Sequence, residues 1–493
     1  MTERPVKLAG KAVIWQAIQM GGVKVIFLVR ILVLARLLSP ADFGLIAIAT
    51  TAMGFLLNVT NFGMIPALVQ GKETDDAQYN AAWTIGITRS AIIALMMIVA
   101  APIIATIFAE PQAVVFIRIL ALNPLLEALT SIKVAALNKN LLFRPLAMLR
   151  LADALVNAIV SITLAMVYGV WGLVAGMLAG AATMVIGSYL LAPHRPRLSF
   201  SQEAIRPLIH FGRWIFITSL ITMAGSYALR IVISRQLGAA GLGLYYLATQ
   251  LAFMPGEVAS EVVGSVAFPL FARLQNDVAQ ATRAFRAIYT SLAALLYPAC
   301  ALIIVLAPGL AQDVLGPSWA GTEPVIQVLA FVNMIGIFGE ASSPVLKGFG
   351  QPYRITMIEF IQSSIIIFLV WILTEQFGLV GAALAWLPAI SLSQFFSAHF
   401  MRQLLDHPFT GLHRPVLAAL GITGICTALA AAVHSVIPGL AGIAAAGALA
   451  VLAAGALLLV SDRYFSLGFV QNLTLAFPQV AAWIGVPAAD NLS

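Results

Sequence analysis

Charge is scarce in this chain. Of 493 residues only 10% are Asp, Glu, Lys or Arg, against roughly 25% in an ordinary soluble domain. That leaves too little polar surface to cover a water-facing fold. Cysteine is nearly absent: Cys300 and Cys426 both sit inside apolar runs, which speaks against a disulfide framework and for packing. There is no GxxxxGK[ST] stretch, so the chain is not a P-loop ATPase. The six histidines are scattered and form no close pair with metal-ligand spacing. Long polar loops are missing too. The longest is 193–207, and the longest on the opposite side is 309–320, short for the catalytic loops of a membrane glycosyltransferase or polymerase. The chain is therefore not read as an enzyme, and no resident cofactor is implied.

What is present is apolar surface. Hydrophobic residues make up 61% of the chain and the mean hydropathy is +0.97. They come in windows of about 20, the length that crosses a hydrocarbon core as a helix. Barrel strands alternate apolar and polar residues, and these runs do not. The fold class is an all-α polytopic membrane protein with about fourteen spans: 12–37, 43–69, 81–108, 112–137, 146–168, 170–192, 208–236, 242–272, 284–308, 321–347, 355–376, 378–402, 414–436 and 440–462. The basic, then apolar N-terminus lacks a small-residue cleavage site and reads as an uncleaved first helix.

With these spans, nineteen of the 27 Lys and Arg residues fall on the side of the N-terminus, six lie inside spans, and only Arg36 and Arg235 lie on the far side. The positive-inside rule then puts both termini in the cytoplasm. The net charge of +7 suits anionic lipid headgroups; a nucleic-acid role has no support.

Residues 34–50, "LARLLSPADFGLIAIAT", overlay 233–249, "ISRQLGAAGLGLYYLAT", at an offset of 199, pairing Arg36 with Arg235 and Gly44 with Gly243. Further on, "YGVWGLVAG" (168–176) overlays "FGLVGAALA" (377–385) at 209, and Phe143-Arg144 meets Tyr353-Arg354 at 210. Three matches in order at nearly one offset indicate two parallel six-helix repeats, the plan of a transporter that alternates access across a central cleft. The implied domains are 1–192, a cytoplasmic linker 193–207, 208–402, two additional helices in 403–462, and a cytoplasmic tail 463–493, whose end is either an interfacial segment or disordered. Pro40 and Asp42 suit the start of a helix. Arg36 and Arg235 are either periplasmic gate residues or interface residues at a turn.

The segment "ARLLSPADFGLIAIAT" after an amphiphilic first helix resembles the N-terminal signature of Wzx-type polysaccharide flippases, in the polysaccharide transporter branch of the MOP superfamily. "ALNKNLLFRPLAMLRLADAL" (136–155) and "LKGFGQPYRITMIEF" (346–360) are similar to the same family's fifth-helix region and its second-half counterpart. The second corner departs from the pattern, with "GAAGLG" in place of "SPADFG". The resemblance implies two six-helix bundles in a V, plus two extra helices. It also implies transfer of an undecaprenyl-diphosphate-linked oligosaccharide from the cytoplasmic to the periplasmic leaflet, for exopolysaccharide, capsule or O-antigen synthesis. Its partners would be the lipid-linked substrate, membrane lipids, and the polysaccharide polymerase and chain-length machinery.

Charges at membrane depth are costly and face a partner or a watery cavity. Lys24, Arg30, Arg89, Arg118 and Arg230 are candidate cavity bases for an anionic diphosphate, to which Lys and Arg donate charge-assisted hydrogen bonds. Lys24 lies nearest mid-depth; Arg30, Arg89, Arg230 and also Lys133 have snorkelling as the alternative. Glu257 and Glu261 share one helix face just after Pro255-Gly256, a sequence that predicts a broken helix. With Asp153 and Glu340 they serve either coupling to H+ or Na+ or as counter-ions. Asn58, Asn61 and Gln16 offer sugar-facing hydrogen bonds or helix packing. Two other members of this fold compete: a peptidoglycan-precursor flippase, which shares the diphosphate lipid, and a cation-coupled drug exporter, which calls for an acidic lumen with few bases.

Overall fold

The computed structural model describes residues 3–60, 76–134, 143–193 and 202–465, with residues 137, 196 and 197 besides. The end of span two with Asn61, residues 194, 195 and 198–201 of the linker, and the tail beyond 465 lie outside the described residues. The helices are α1 (Glu3–Leu37), α2 (Pro40–Val59), α3 (Asp76–Phe108), α4 (Ala113–Leu120), α5 (Leu122–Leu129), α6 (Phe143–Tyr168), α7 (Trp171–Leu191), α8 (Gln202–Ala252), α9 (Met254–Leu274), α10 (Val278–Gly309), α11 (Glu323–Gly348), α12 (Pro352–Leu384), α13 (Trp386–Leu404), α14 (His413–Val436) and α15 (Leu440–Phe465). Ten helices among the described residues are long and apolar enough to cross a membrane, and a bent pair makes an eleventh span. Large apolar side chains such as Phe368 (69% exposed) and Leu452 (70%) point outward, as lipid contact requires.

Two expected spans are not single helices. Span four (112–137) is α4 followed by α5, and α5 ends at Thr130, whose ψ of 138° leaves the helical region. Pro124 has no N–H to offer the Leu120 carbonyl, which breaks the ladder there. Span eight (242–272) is interrupted at Phe253, where Met223–Ala252 and Met254–Glu261 meet at 50°. Pro255 likewise withholds an N–H from Leu251, and the neighbouring Ala252 carbonyl accepts from Asn333 Nδ2 at 3.0 Å. Spans seven and eight run together as α8, with the corner made by Gly238 (φ 69°).

The chain divides into two compact units, 1–243 and 244–493. The first arm of α8 falls in unit 1, one helix beyond the repeat boundary, because Arg230, Ser234 and Arg235 bond to α2 and α3. In unit 1, α6 packs on α7 and on α1, and α2 and α3 pack on α4. In unit 2, α10 is the hub, touching α9, α11, α14 and α15. The two additional helices are docked there, and the α14–α15 turn is tied to α10's C-terminal extension by the Gly439 N–H donating to Asp313 Oδ2 at 3.1 Å.

The repeat is visible in backbone geometry inside each unit. Gly169 (φ 59°) turns α6 into α7, and Gly378 (φ 58°), 209 residues later, makes the corresponding turn within α12. Three residues on, a Cβ on Gly172 would stand 2.3 Å from Ala165 N, and one on Gly381 would stand 1.8 Å from Leu373 O. Each half therefore reverses direction on one glycine with left-handed backbone and folds back against a second that admits no side chain. A left-handed non-glycine residue costs about 1–2 kcal/mol. Gly169→Ala and Gly378→Ala are each expected to lose that much, read as a lower thermal midpoint in detergent. Gly21→Ala, inside α1 with a Cβ that meets nothing within 4 Å, should not lower the midpoint and should raise it slightly.

Candidate functional site

The site is built downward from the two corners. Ser39 and Asp42 form a capping box: Asp42 Oδ2 accepts from the Ser39 N–H at 2.9 Å and Ser39 Oγ accepts from the Asp42 N–H at 3.3 Å. Pro40 occupies the first turn, where its missing N–H costs nothing. The second corner has glycine at both aligned positions, Gly238 and Gly241, and borrows its cap. Glu110, just after α3, accepts from the Ala239 N–H through Oε1 at 2.5 Å. In return, Ser234 Oγ donates to the Phe108 carbonyl (2.7 Å), and Arg235 donates to the carbonyls of Ile107 (2.7 Å) and Thr106 (3.4 Å). Arg235 thus caps the C-terminus of α3, while Arg36 is exposed in the last turn of α1.

The corners also touch each other. A Cβ on Gly44 would fall 1.8 Å from the Ala239 carbonyl oxygen, and a Cβ on Gly243 would fall 1.7 Å from the Pro40 carbonyl oxygen. Pro40 aligns with Ala239 and Gly44 with Gly243, so the contact is reciprocal. Below this crossing α2 and α8 separate. Arg230 Nη1 donates to Thr51 Oγ1 at 2.8 Å. One turn further along α2, Phe55 meets Tyr227 edge-on with ring centroids 5.5 Å apart, and the Arg230 guanidinium lies 5.9 Å from the Tyr227 ring centroid. Tyr227 also bonds the side chain of Asn58. Thr51 is buried, whereas Phe55 and Asn58 are exposed. At about 1.5 Å per residue, Arg230 is about 12 Å below Gly238 and Thr51 about 18 Å below Ser39, near the middle of an about 30 Å core. Arg230 points into the seam at that depth.

A second polar group lies along α6. Asp153, Asn157 and Ser161 recur every four residues, and α7 faces them with Gly180, Gly176 and Gly172 at the same spacing. Cβ atoms on Gly180 and Gly176 would approach Asp153 Oδ1 to 2.5 Å and Ser161 Oγ to 1.9 Å, so the glycines make the room that these polar side chains occupy. Arg30 of α1 bonds Asn157 Oδ1, and Arg30 and Arg150 both act electrostatically on Asp153. The pocket of Asp153 and Asn157 already contains a cation, the Arg30 guanidinium. Glu127 accepts from Asn123 Nδ2 at 2.8 Å and lies in electrostatic reach of Arg150, Asp153 and Arg89. Arg89 donates to the Leu57 carbonyl (2.6 Å) and Thr60 Oγ1 (2.9 Å), capping the end of α2.

Unit 2 holds the remaining acids. At the α8–α9 break, Asn333 fills the space over Gly256. Ser260 Oγ donates to Glu340 Oε2 at 2.5 Å, and Lys347 acts on Glu340 electrostatically. Glu257 and Glu261 are exposed on α9. The four acidic candidates are therefore divided, with Asp153 in unit 1 and the other three in unit 2. Lys24 is half-buried on α1, Arg118 exposed on α4, and Lys133 half-buried in the turn after α5. Among the described residues no three metal-ligating side chains gather.

Tyr227, Phe55, Asn157 and Glu110 are absent from the candidates drawn from sequence. The aligned four-residue spacing of 153, 157, 161 against 172, 176, 180 was a readable signal for Asn157; nothing local marks Glu110. Gly44→Val is expected to part the corners, an overpacking penalty of about 1–3 kcal/mol seen as a lower thermal midpoint. Glu110→Ala should lose the cap, about 0.5–2 kcal/mol, and Glu110→Gln, which keeps an acceptor oxygen, should recover most of it in the same measurement.

A family model described as a polysaccharide biosynthesis protein matches residues 33–324. The succinoglycan biosynthesis transport protein ExoT of Rhizobium meliloti (strain 1021) is 28% identical over 341 residues, 68% of each chain. The lipopolysaccharide biosynthesis protein WzxC of Escherichia coli (strain K12) is 24% identical over 331 residues, 66% of this chain and 67% of that one. Among solved structures, the lipid II flippase MurJ in its inward closed conformation aligns with a TM-score of 0.70 over 92% of this chain and 99% of that one, at 13% identity. An inward-facing MATE family transporter of the MOP superfamily aligns at 0.58 over 80% and 98%, at 16% identity. With the matched segment covering more than half of its length, this chain belongs to the polysaccharide biosynthesis protein family, built on the fold of the MOP transporters.

Proposed function

We propose that this protein is a flippase that carries an undecaprenyl-diphosphate-linked oligosaccharide from the cytoplasmic to the periplasmic leaflet of a bacterial inner membrane, by alternating access and without chemistry on its substrate. The observation that carries the reading is Arg230: an arginine about 12 Å below the corner, aimed into the α2–α8 seam, where it bonds a neutral hydroxyl and lies over an aromatic face. A guanidinium at that depth is expensive and matches phosphate oxygens in a bidentate fork. Family membership supports the substrate class, as do relatives whose names carry succinoglycan transport and lipopolysaccharide biosynthesis.

Arg30 is the second base in this reading. It is poised between the Asp153–Asn157 pocket and an incoming diphosphate, so the acid holds the guanidinium in place when no substrate is bound. A drug exporter of cations is disfavoured, because that pocket is filled by the protein's own positive charge. Any drive by H+ or Na+ falls to Glu257, Glu261 and Glu340 in unit 2. The translocated unit would then pass to the polymerase and chain-length machinery.

Deleting the gene in its host, with no paralogue present, should abolish the surface polysaccharide and leave lipid-linked units in the cytoplasmic leaflet. Unchanged polysaccharide would refute the assignment. Orientation has its own test. With the native cysteines replaced, Arg36→Cys should react with a membrane-impermeant maleimide added outside spheroplasts, and Arg402→Cys should react only after lysis.

A further inference from the structure

The seam between α2 and α8 contains more than Arg230. Thr51, Phe55 and Asn58 are spaced i, i+4, i+7, so they form one stripe on α2. The stripe faces Tyr227 and Arg230, three apart on α8. Its members touch α8 in order: Thr51 bonds Arg230, Phe55 packs edge-on against Tyr227, and Asn58 bonds the Tyr227 hydroxyl. The seam is a wedge. Its apex is the Gly44–Gly243 crossing, where the backbones touch. It is sealed at Thr51, 3% exposed, and open at Phe55, 41% exposed, and at Asn58, also exposed. Asn58 lies one residue from the end of α2; its Nδ2 donates to the Gly54 carbonyl at 2.9 Å, and its exposed amide presents a polar edge there. Its position beside an exposed ring, one turn from a membrane-deep arginine, marks a mixed surface: cation, aromatic face, amide.

We infer that this wedge is a saccharide subsite, in which Arg230 holds the diphosphate and the Phe55–Tyr227 pair with Asn58 reads the sugar joined directly to it. The inference rests on the flippase reading and deepens it. A pyranose presents one face of carbon-bound hydrogens and a rim of hydroxyls. The first packs on aromatic carbon, as Tyr and Phe side chains do in polar ligand sites, and the second pairs with an amide that both donates and accepts. The lengths agree. Arg230 and Tyr227 are one turn apart on α8, about 4.5 Å along the axis, and the sugar bonded to a phosphate begins within that distance. Because the wedge closes at Thr51, a headgroup enters from the open end with the diphosphate leading and the first sugar beside the rings. Sugars further out lie beyond Asn58, where this surface ends. Selectivity should therefore fall on the first sugar and not on the whole repeat unit.

The test uses full-length protein in lipid nanodiscs and two probes: undecaprenyl diphosphate, and the lipid-linked saccharide extracted from host cells depleted of this protein. Wild type should bind the saccharide-bearing lipid about tenfold more tightly than the bare diphosphate, the worth of roughly one stacked ring and one hydrogen bond. The double variant Phe55→Ala, Asn58→Ala should bring the two probes within about twofold of each other. Arg230→Gln should weaken both together. If the double variant unfolds, Phe55→Leu with Asn58→Ser removes the ring and shortens the amide at nearly constant bulk and should shift the ratio in the same direction. A wild type that binds both lipids equally, or a variant that keeps the tenfold preference, overturns the subsite and leaves the flippase reading standing. A wild type that binds neither overturns both.

Discussion

The backbone contact between Pro40–Gly44 and Ala239–Gly243 is the constraint from which the rest of unit 1 follows. Two helix starts can approach to the point where a single added carbon would sit inside a carbonyl oxygen only if each offers a glycine. That contact sets the apex of the α2–α8 wedge. It therefore determines that Thr51 meets Arg230, that Phe55 meets Tyr227, and that the stripe opens away from the corner. The capping arrangement follows from the same demand. The second corner carries glycine where the first has Ser39 and Asp42, and so has no local side chain to satisfy its first amides. Glu110 supplies the acceptor from the end of α3.

Polar groups inside the bundle are accommodated by a related device. Glycines on α7 hollow out a track for Asp153, Asn157 and Ser161, and Arg30 bonds Asn157 within it. Arg89 and Arg235 meet their cost differently, by saturating carbonyls that a helix end leaves unpaired. Membrane-embedded arginines in this chain thus divide by what they bind. Those that bind carbonyls hold helix ends together. Arg30 and Arg230 instead donate to the side chains of Asn157 and Thr51, away from helix ends.

Much of this is legible in the amino-acid order. The apolar runs mark an all-helical membrane fold in which ten described helices are long and apolar enough to span, and offsets of 199 and 209 align Gly44 with Gly243 and Gly169 with Gly378; these pairs make the same backbone moves in the structure. Pro255-Gly256 foretells the break at Phe253. Other features depend on which residues approach across long separations, and local pattern says nothing of them. Arg235 looks like its repeat partner Arg36 in sequence, yet it caps α3 because Thr106 to Phe108 end beside it. Span four reads as one apolar window because hydropathy does not register the hydrogen bond that Pro124 cannot make. Tyr227 and Phe55 are unremarkable in an apolar chain until α2 and α8 bring them together with Asn58.

The borrowed cap has a consequence for modularity. A duplicated bundle begins as two self-sufficient copies, each able in principle to fold alone. The second corner has glycines where the first has its serine and aspartate, and it takes its cap from Glu110, so the dependence is one-way. The first copy retains a complete corner. Without α3 and Glu110, α8 would be left with the Ala239 amide at its corner without this acceptor. The two corners are not exchangeable parts, and the difference can be traced to one carboxylate.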